Sequence, residues 1–270
     1  MRLGIGSYTY TWTVGVPGHE PDTRLTVTDL LLKANKLGVG VVQYADNLPL
    51  DALPPQELSE LVRRSQELGI AIEVGTRGIQ PDHLRSYLRL AEQTHSPIVR
   101  VVLDTADHRP EEDEAVDLIR TVMPDYERSG VCLAIENHDG FPAKTLARIV
   151  ERVGSSSVGV CLDTVNSFGS LECPEVVVDT LAPLVANLHI KDFAIRRADH
   201  QMGFVIEGTP AGEGRLDVGW LLDKVRNNGR DANAILELWT PPEDNLNATI
   251  AKEDAWASQS IRYLRSMIQE

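Results

Sequence analysis

Only three cysteines occur in the chain, Cys132, Cys161 and Cys173, and their spacing matches no zinc-binding pattern. That argues against a disulfide-framed scaffold and fits a reducing, cytoplasmic setting. Cys132 and Cys161 fall inside apolar runs, where cysteine acts as a small hydrophobe. No window approaches 18 consecutive apolar residues, which excludes a helical membrane span. The opening segment MRLGIGSYTYTW lacks the long apolar core of a secretory signal and enters a strand pattern at once. Basic charge is also scarce: 26 Lys and Arg stand against 40 Asp and Glu, a net −14. Such a balance repels nucleic-acid backbone and anionic membrane surfaces, so neither is an expected partner. It leaves room for a local basic pocket that takes an acidic substrate. No solenoid repeat, linker or low-complexity tract divides the chain, so residues 1–270 read as one domain with a core large enough to need no staples.

What is present is a short, regular alternation. Eight apolar runs read as buried strands: LGIGS from Leu3, VVQYA from Val41, IAIEV from Ile70, IVRVV from Ile98, VCLAIE from Val131, VGVCLD from Val158, NLHIK from Asn187 and AILELW from Ala234. Near-continuous apolar runs suit a parallel sheet covered on both faces. Amphipathic patterns lie between them, as in Leu84, Tyr87, Leu88 and Ala91, or Ala257, Ile261, Leu264 and Ile268. Pro55, Pro81, Pro110, Pro142 and Pro174 stand at or near helix starts, where proline loses no intrahelical bond. The acidic run after Pro110 reads as a solvated helix start favoured by the helix dipole. Eight such units predict an α/β fold, a single (β/α)₈ barrel. The stretch from Asp192 to Asp217 is expected to be a long irregular loop with a functional role.

In a (β/α)₈ barrel the chemistry sits at the C-terminal strand ends. Four consecutive strand patterns bring a ligand-type residue there: Glu136, Asp163, His189 and Glu237. Three uncompensated carboxylates in one pocket would repel, and a divalent cation removes the conflict. Hard oxygens with one imidazole suit Mn²⁺, Mg²⁺, Co²⁺ or Zn²⁺.

The motifs AIEN, CLDT, LHIKDF and ILELW, in this order and with GEG at Gly212 to Gly214, resemble the sugar isomerase/epimerase superfamily with the xylose isomerase-like TIM barrel. The resemblance covers essentially the whole chain. It implies that Glu136, Asp163, His189 and Glu237 bind one divalent metal, with Mn²⁺ the leading expectation. It also implies that Glu136 and Glu237 exchange a substrate proton, one on each face. The expected reaction is isomerisation or epimerisation of a keto-sugar or keto-sugar acid through a metal-stabilised enediolate. Lyase chemistry on the same site is the alternative: decarboxylation of a 3-oxo sugar acid, or dehydration or elimination from a 3-keto-sugar.

Further candidates surround that set. In the ketose 3-epimerases a substrate-contacting arginine follows the ligand histidine by six residues; here that offset is Ile195, and Arg196 stands one place later. His200, in the expected loop, is a candidate acid or base. Lys191, His138 and Trp12 are expected at the pocket wall. Arg100 is a candidate for substrate contact, or for neutralising Glu73 or a ligand carboxylate. Glu213 is a candidate partner for the second nitrogen of the ligand histidine. Several epimerases carry histidine three residues after the metal-binding aspartate, where this chain has Asn166, which can bind a hydroxyl but carries no proton. The block KDFAIRRADHQMGF departs from the epimerase pattern and resembles branches that process keto-sugar acids, including oxo-isoapionate-type decarboxylases. An abasic-site endonuclease, which shares the barrel, is disfavoured by the negative charge and by a single ligand histidine. A non-catalytic sugar-binding barrel is disfavoured by the complete ligand set. Homo-oligomerisation is left open, since nothing marks an interface.

Overall fold

The computed structural model describes residues 1–268. The chain runs β1 (Leu3–Gly6), a short α1 (Thr11–Val14), α2 (Val27–Leu37), β2 (Val41–Tyr44), α3 (Pro55–Leu68), β3 (Ala71–Arg77), α4 (Pro81–Thr94) and β4 (Ile98–Val102). It continues α5 (Glu112–Ser129), β5 (Cys132–Glu136), α6 (Ala143–Val153), β6 (Val158–Asp163), α7 (Pro174–Leu181) and β7 (Val185–Ile190). Then come β8 (Asp192–Arg197), β9 (Phe204–Thr209), α8 (Val218–Asn227), β10 (Asn233–Leu236) and α9 (Leu246–Arg265). Eight parallel strands close a barrel in the order β1-β2-β3-β4-β5-β6-β7-β10, with β10 returning to β1. All eight apolar runs are therefore barrel strands, as their two-sided burial requires.

The helices cover the outside with their apolar stripes. Leu84, Tyr87, Leu88 and Ala91 of α4 are buried, as are Ala257, Ile261 and Leu264 of α9 and Ile268 just beyond it. Pro55, Pro81 and Pro174 are the first residues of α3, α4 and α7. The acidic run begins α5, and Glu112 is held by Arg148 and Arg152 at 2.7 and 2.9 Å. No helix among the described residues is long and apolar enough to cross a membrane.

The expected irregular loop is largely an ordered element. β8 and β9 pair as an antiparallel hairpin, from Asp192 opposite Thr209 to Arg197 opposite Phe204. Its strands are half exposed and polar on one side, so no continuous apolar run announces them. Asp192 anchors the return of the chain: its carboxylate accepts from the backbone N–H of Gly212, Gly214 and Leu216. A Cβ on Gly214 would collide with that carboxylate, and one on Gly208 would collide with the Trp239 backbone. These two contacts explain small residues there and press the hairpin against the C-terminal mouth of the barrel.

Candidate metal centre and cleft

Glu136 ends β5, Asp163 ends β6, His189 lies one residue before the end of β7, and Glu237 follows β10 directly. Register brings them level: Asp163 stands opposite His189, and His189 opposite Ile235. All four are buried. His189 Nδ1 lies 3.7 Å from Glu136 Oε1, 3.7 Å from Asp163 Oδ2 and 3.3 Å from Glu237 Oε1. Ligands about 2.1 Å from a shared cation stand roughly 3 Å from one another, so the spacing suits one ion. Glu136 Oε2, Asp163 Oδ2, His189 Nδ1 and both oxygens of Glu237 are buried with no aligned hydrogen-bond partner. Buried polar atoms left this way are costly, and a divalent cation would satisfy all four side chains at once. Cys161 adds a sulfur on the Glu136 side of His189. Burial pushes its thiol up to about 11, so it stays protonated and donates weakly to Asn187.

Fixed cations share this charge. Arg100, from β4, contacts Glu136 through Nε and Asp46 through Nη1 at 3.0 Å. It neutralises a ligand carboxylate and not Glu73. Lys191 Nζ lies 2.8 Å from Asp163 Oδ2 and 2.7 Å from Glu237 Oε2. Burial alone would raise the Glu136 pKa, but Arg100 and His189 reverse that and hold it well below the usual range. Burial likewise opposes ionisation of Asp163, and Lys191 and His189 overcome it. Asn166 ties the set together: its Nδ2 donates to Glu136 Oε1 at 2.7 Å and its Oδ1 accepts from Lys191 at 3.3 Å. Asn137 braces the neighbouring strand ends, accepting from Asp163 N at 2.7 Å and donating to Asp163 O at 2.9 Å.

Above these groups opens a cleft of about 560 Å³. Lys191, Asn166, His138, Trp12 and Arg100 line it, as do Glu136 and Glu237. Arg196 and His200 do not. Arg196 lies exposed on the hairpin, paired with Glu207 at 3.1 Å and Asp199 at 3.4 Å. His200 is exposed in the turn between β8 and β9. Hairpin pairing sets Arg196 behind Glu207, which does line the cleft, and leaves His200 exposed at the turn, which loop reasoning did not foresee. Glu213 is exposed and accepts from Gln259, so it does not serve His189. That role falls to Gln43, whose Oε1 lies 2.8 Å from His189 Nε2. Tyr8 and Arg77 also line the cleft. Arg77 is ion-paired with Asp46 at 3.7 Å and with Asp104 at 3.5 Å, and its guanidinium also faces the cleft. Arg77 closes a strand in AIEVGTR; its position past the apolar run was the available signal.

Trp12 is held from behind. Its indole donates to Thr240 O at 2.8 Å, and Glu253 of α9 accepts from Trp12 N, Thr13 N and Thr13 Oγ1 at 2.9, 3.1 and 2.6 Å. Burial pushes the Glu253 pKa up to about 7 from the ordinary 4.5. The folded chain therefore keeps a proton that the unfolded chain has lost between those values. Stability should be greatest below pH 4.5 as far as this group decides it, fall as pH rises to about 7, and level off above. The loss is roughly 3 kcal/mol. Urea unfolding at pH 5 and pH 7.5 checks it: Glu253→Gln should flatten this slope, and an unchanged slope would assign it elsewhere.

A closed parallel barrel with buried carboxylates and a histidine gathered at the C-terminal mouth defines a (β/α)₈ enzyme of the metal-centre type. The chain belongs to the xylose isomerase-like TIM barrel family, whose model matches residues 31–267, and it is an enzyme of that superfamily. It is similar to a 3-oxo-isoapionate decarboxylase of Pectobacterium atrosepticum, 35% identical over 264 residues, covering 98% of this chain and 95% of that protein. A solved D-psicose 3-epimerase, 17% identical, superposes with a TM-score of 0.73 over 98% of both chains. The IOLI protein, solved with a zinc atom, is 16% identical with a TM-score of 0.71 over the whole of both chains.

Proposed function

We propose that the protein is a divalent-metal-dependent lyase that decarboxylates a 3-oxo sugar acid. The observation that carries this reading is the pairing of both glutamates with fixed cations, Glu136 with Arg100 and Glu237 with Lys191. An epimerase needs a free base on each face of its substrate. Here Arg100 stands against Glu136 and Lys191 against one oxygen of Glu237, and Asn166 replaces the histidine found in several epimerases. Decarboxylation needs no initial base, which favours the lyase over the isomerase or epimerase expected first. The 35% identical decarboxylase, matched along nearly its full length, supports the same choice.

Glu136, Asp163, His189 and Glu237 would hold the cation. When bound, it supplies a Lewis acid for the substrate's ketone oxygen. Arg77, paired at longer range with Asp46 and Asp104, lines the cleft and offers a guanidinium to the substrate carboxylate, in a chain otherwise strongly acidic. Arg100 beside Glu136 and Lys191 beside Asp163 keep those two carboxylates anionic and the field balanced as charge moves from the substrate carboxylate to the ketone. The bond between the carboxyl carbon and its neighbour breaks, and its electron pair passes toward the ketone as an enediolate. CO₂ leaves, and the neighbouring carbon then takes one proton. Trp12, Trp239 and the hairpin form the walls of the cleft around this step.

Incubation with a 3-oxo sugar acid in D₂O, followed by mass spectrometry and NMR, tests the reading. The expected product has lost CO₂ and gained one deuterium at the carbon that carried the carboxylate. Deuterium uptake with the carbon skeleton intact would instead return the protein to the isomerases.

A further inference from the structure

We infer that Glu73 is a positioning residue, which sets the ring tautomer of His189 through Gln43 and thereby sets the affinity of the site for a divalent cation. Glu73 lies inside the barrel on β3 and does not line the cleft, so it touches no substrate. Three amides face it: Gln43 Nε2 at 3.0 Å, Asn187 Nδ2 at 2.9 Å and Asn233 Nδ2 at 2.7 Å. A carboxylate only accepts, so each amide must turn its NH₂ toward it. The second N–H of Gln43 goes to Asn187 Oδ1 at 3.0 Å. Both Gln43 donors are then committed, and its carbonyl is left facing His189 Nε2. A carbonyl can only accept, so the ring proton sits on Nε2. With Nε2 held as the donor, Nδ1 is the nitrogen that faces Glu136, Asp163 and Glu237, and a cation bound there would meet its lone pair. That is the tautomer that coordinates a cation. Gln43, Asn187 and His189 have no solvent exposure and Glu73 has 1%. Water cannot re-pair a flipped amide there, so the orientation set at Glu73 reaches the ring unchanged.

The inference rests on the metal site proposed above and not on the reaction carried out there. Mn²⁺ binding by calorimetry to the metal-stripped full chain tests it without any turnover. Glu73→Gln lets the amides turn, and it should weaken Mn²⁺ binding by about 10–100-fold, the range typical of such supporting partners. Gln43→Met, which removes the carbonyl, should do the same while leaving Glu73 in place. Because Glu73 acts through Gln43, the double variant should bind Mn²⁺ no more weakly than Gln43→Met alone. Additive losses, which a merely structural role would produce, overturn the inference. So does wild-type affinity in either folded single variant, and the Gln43→Met arm decides the matter if Glu73→Gln does not fold. Wild-type chain that binds no Mn²⁺ would instead remove the metal site itself.

Discussion

Glu237→Gln should lower kcat by about three orders of magnitude, the largest catalytic loss expected from a single change that preserves shape. The substitution keeps the volume and removes the negative charge nearest both His189 Nδ1 and Lys191 Nζ. A Lewis-acid contribution of several kcal/mol, at about 1.4 kcal/mol per tenfold in rate, gives this figure. Chelation with EDTA should abolish turnover of the wild type to a similar extent, and Mn²⁺, Mg²⁺ or Co²⁺ should restore it. The same metals should restore little to Glu237→Gln. Steady-state assays with and without chelator decide the point. Near-normal turnover by the metal-stripped wild type would sink the metal-dependent reading altogether.

The second large effect falls on stability. Arg100→Met leaves Glu136 as a buried anion without its strongest partner, since both side chains are almost fully buried. It also removes one partner of Asp46, which keeps Tyr8 and Arg77, and withdraws the guanidinium from the Tyr8 ring, 5.9 Å away. Breaking one side of a buried pair costs about 3–5 kcal/mol. For a chain of this size the melting temperature should fall on the order of 10 °C. Added Mn²⁺ should recover part of the loss, because a cation beside Glu136 takes over Arg100's electrostatic work. The double variant with Glu136→Gln should also melt higher than Arg100→Met alone. Scanning calorimetry in EDTA and in Mn²⁺ measures both. A single variant that melts with the wild type in EDTA would mean that solvent reaches Glu136 and that the pair is not truly buried.

Much of this architecture was legible in the residue order. Each barrel strand is buried on both faces, so each had to be an apolar run, and eight runs separated by amphipathic helices admit few folds. The four ligand-type residues were legible for a related reason. A charged side chain at the end of an apolar strand is expensive, and four in succession call for one shared explanation. The decarboxylase reading was also present, as an alternative, in the asparagine at position 166 and in the unusual block after Lys191.

Other features were hidden because they depend on pairing across the barrel. Gln43, Glu73 and Asn187 are single polar residues inside apolar runs. Taken alone, each looks like an imperfection in a strand. Only closure of the barrel makes β2, β3 and β7 present them to one another. Arg196 and His200 show the opposite failure. Nearness in sequence to His189 suggested nearness in space, but antiparallel pairing of β8 with β9 carries both out to solvent.

By itself, then, the order of residues determined the barrel and its four ligand-type side chains, because burial periodicity and the cost of buried charge are local properties of a chain. Tertiary structure alone decided which cation faces each carboxylate and which nitrogen of His189 faces Glu136, Asp163 and Glu237. Those outcomes depend on distances of a few ångströms between groups up to 146 positions apart, as with Gln43 and His189. Electrostatic and hydrogen-bond energies change steeply over such distances, and no pattern along the chain encodes them.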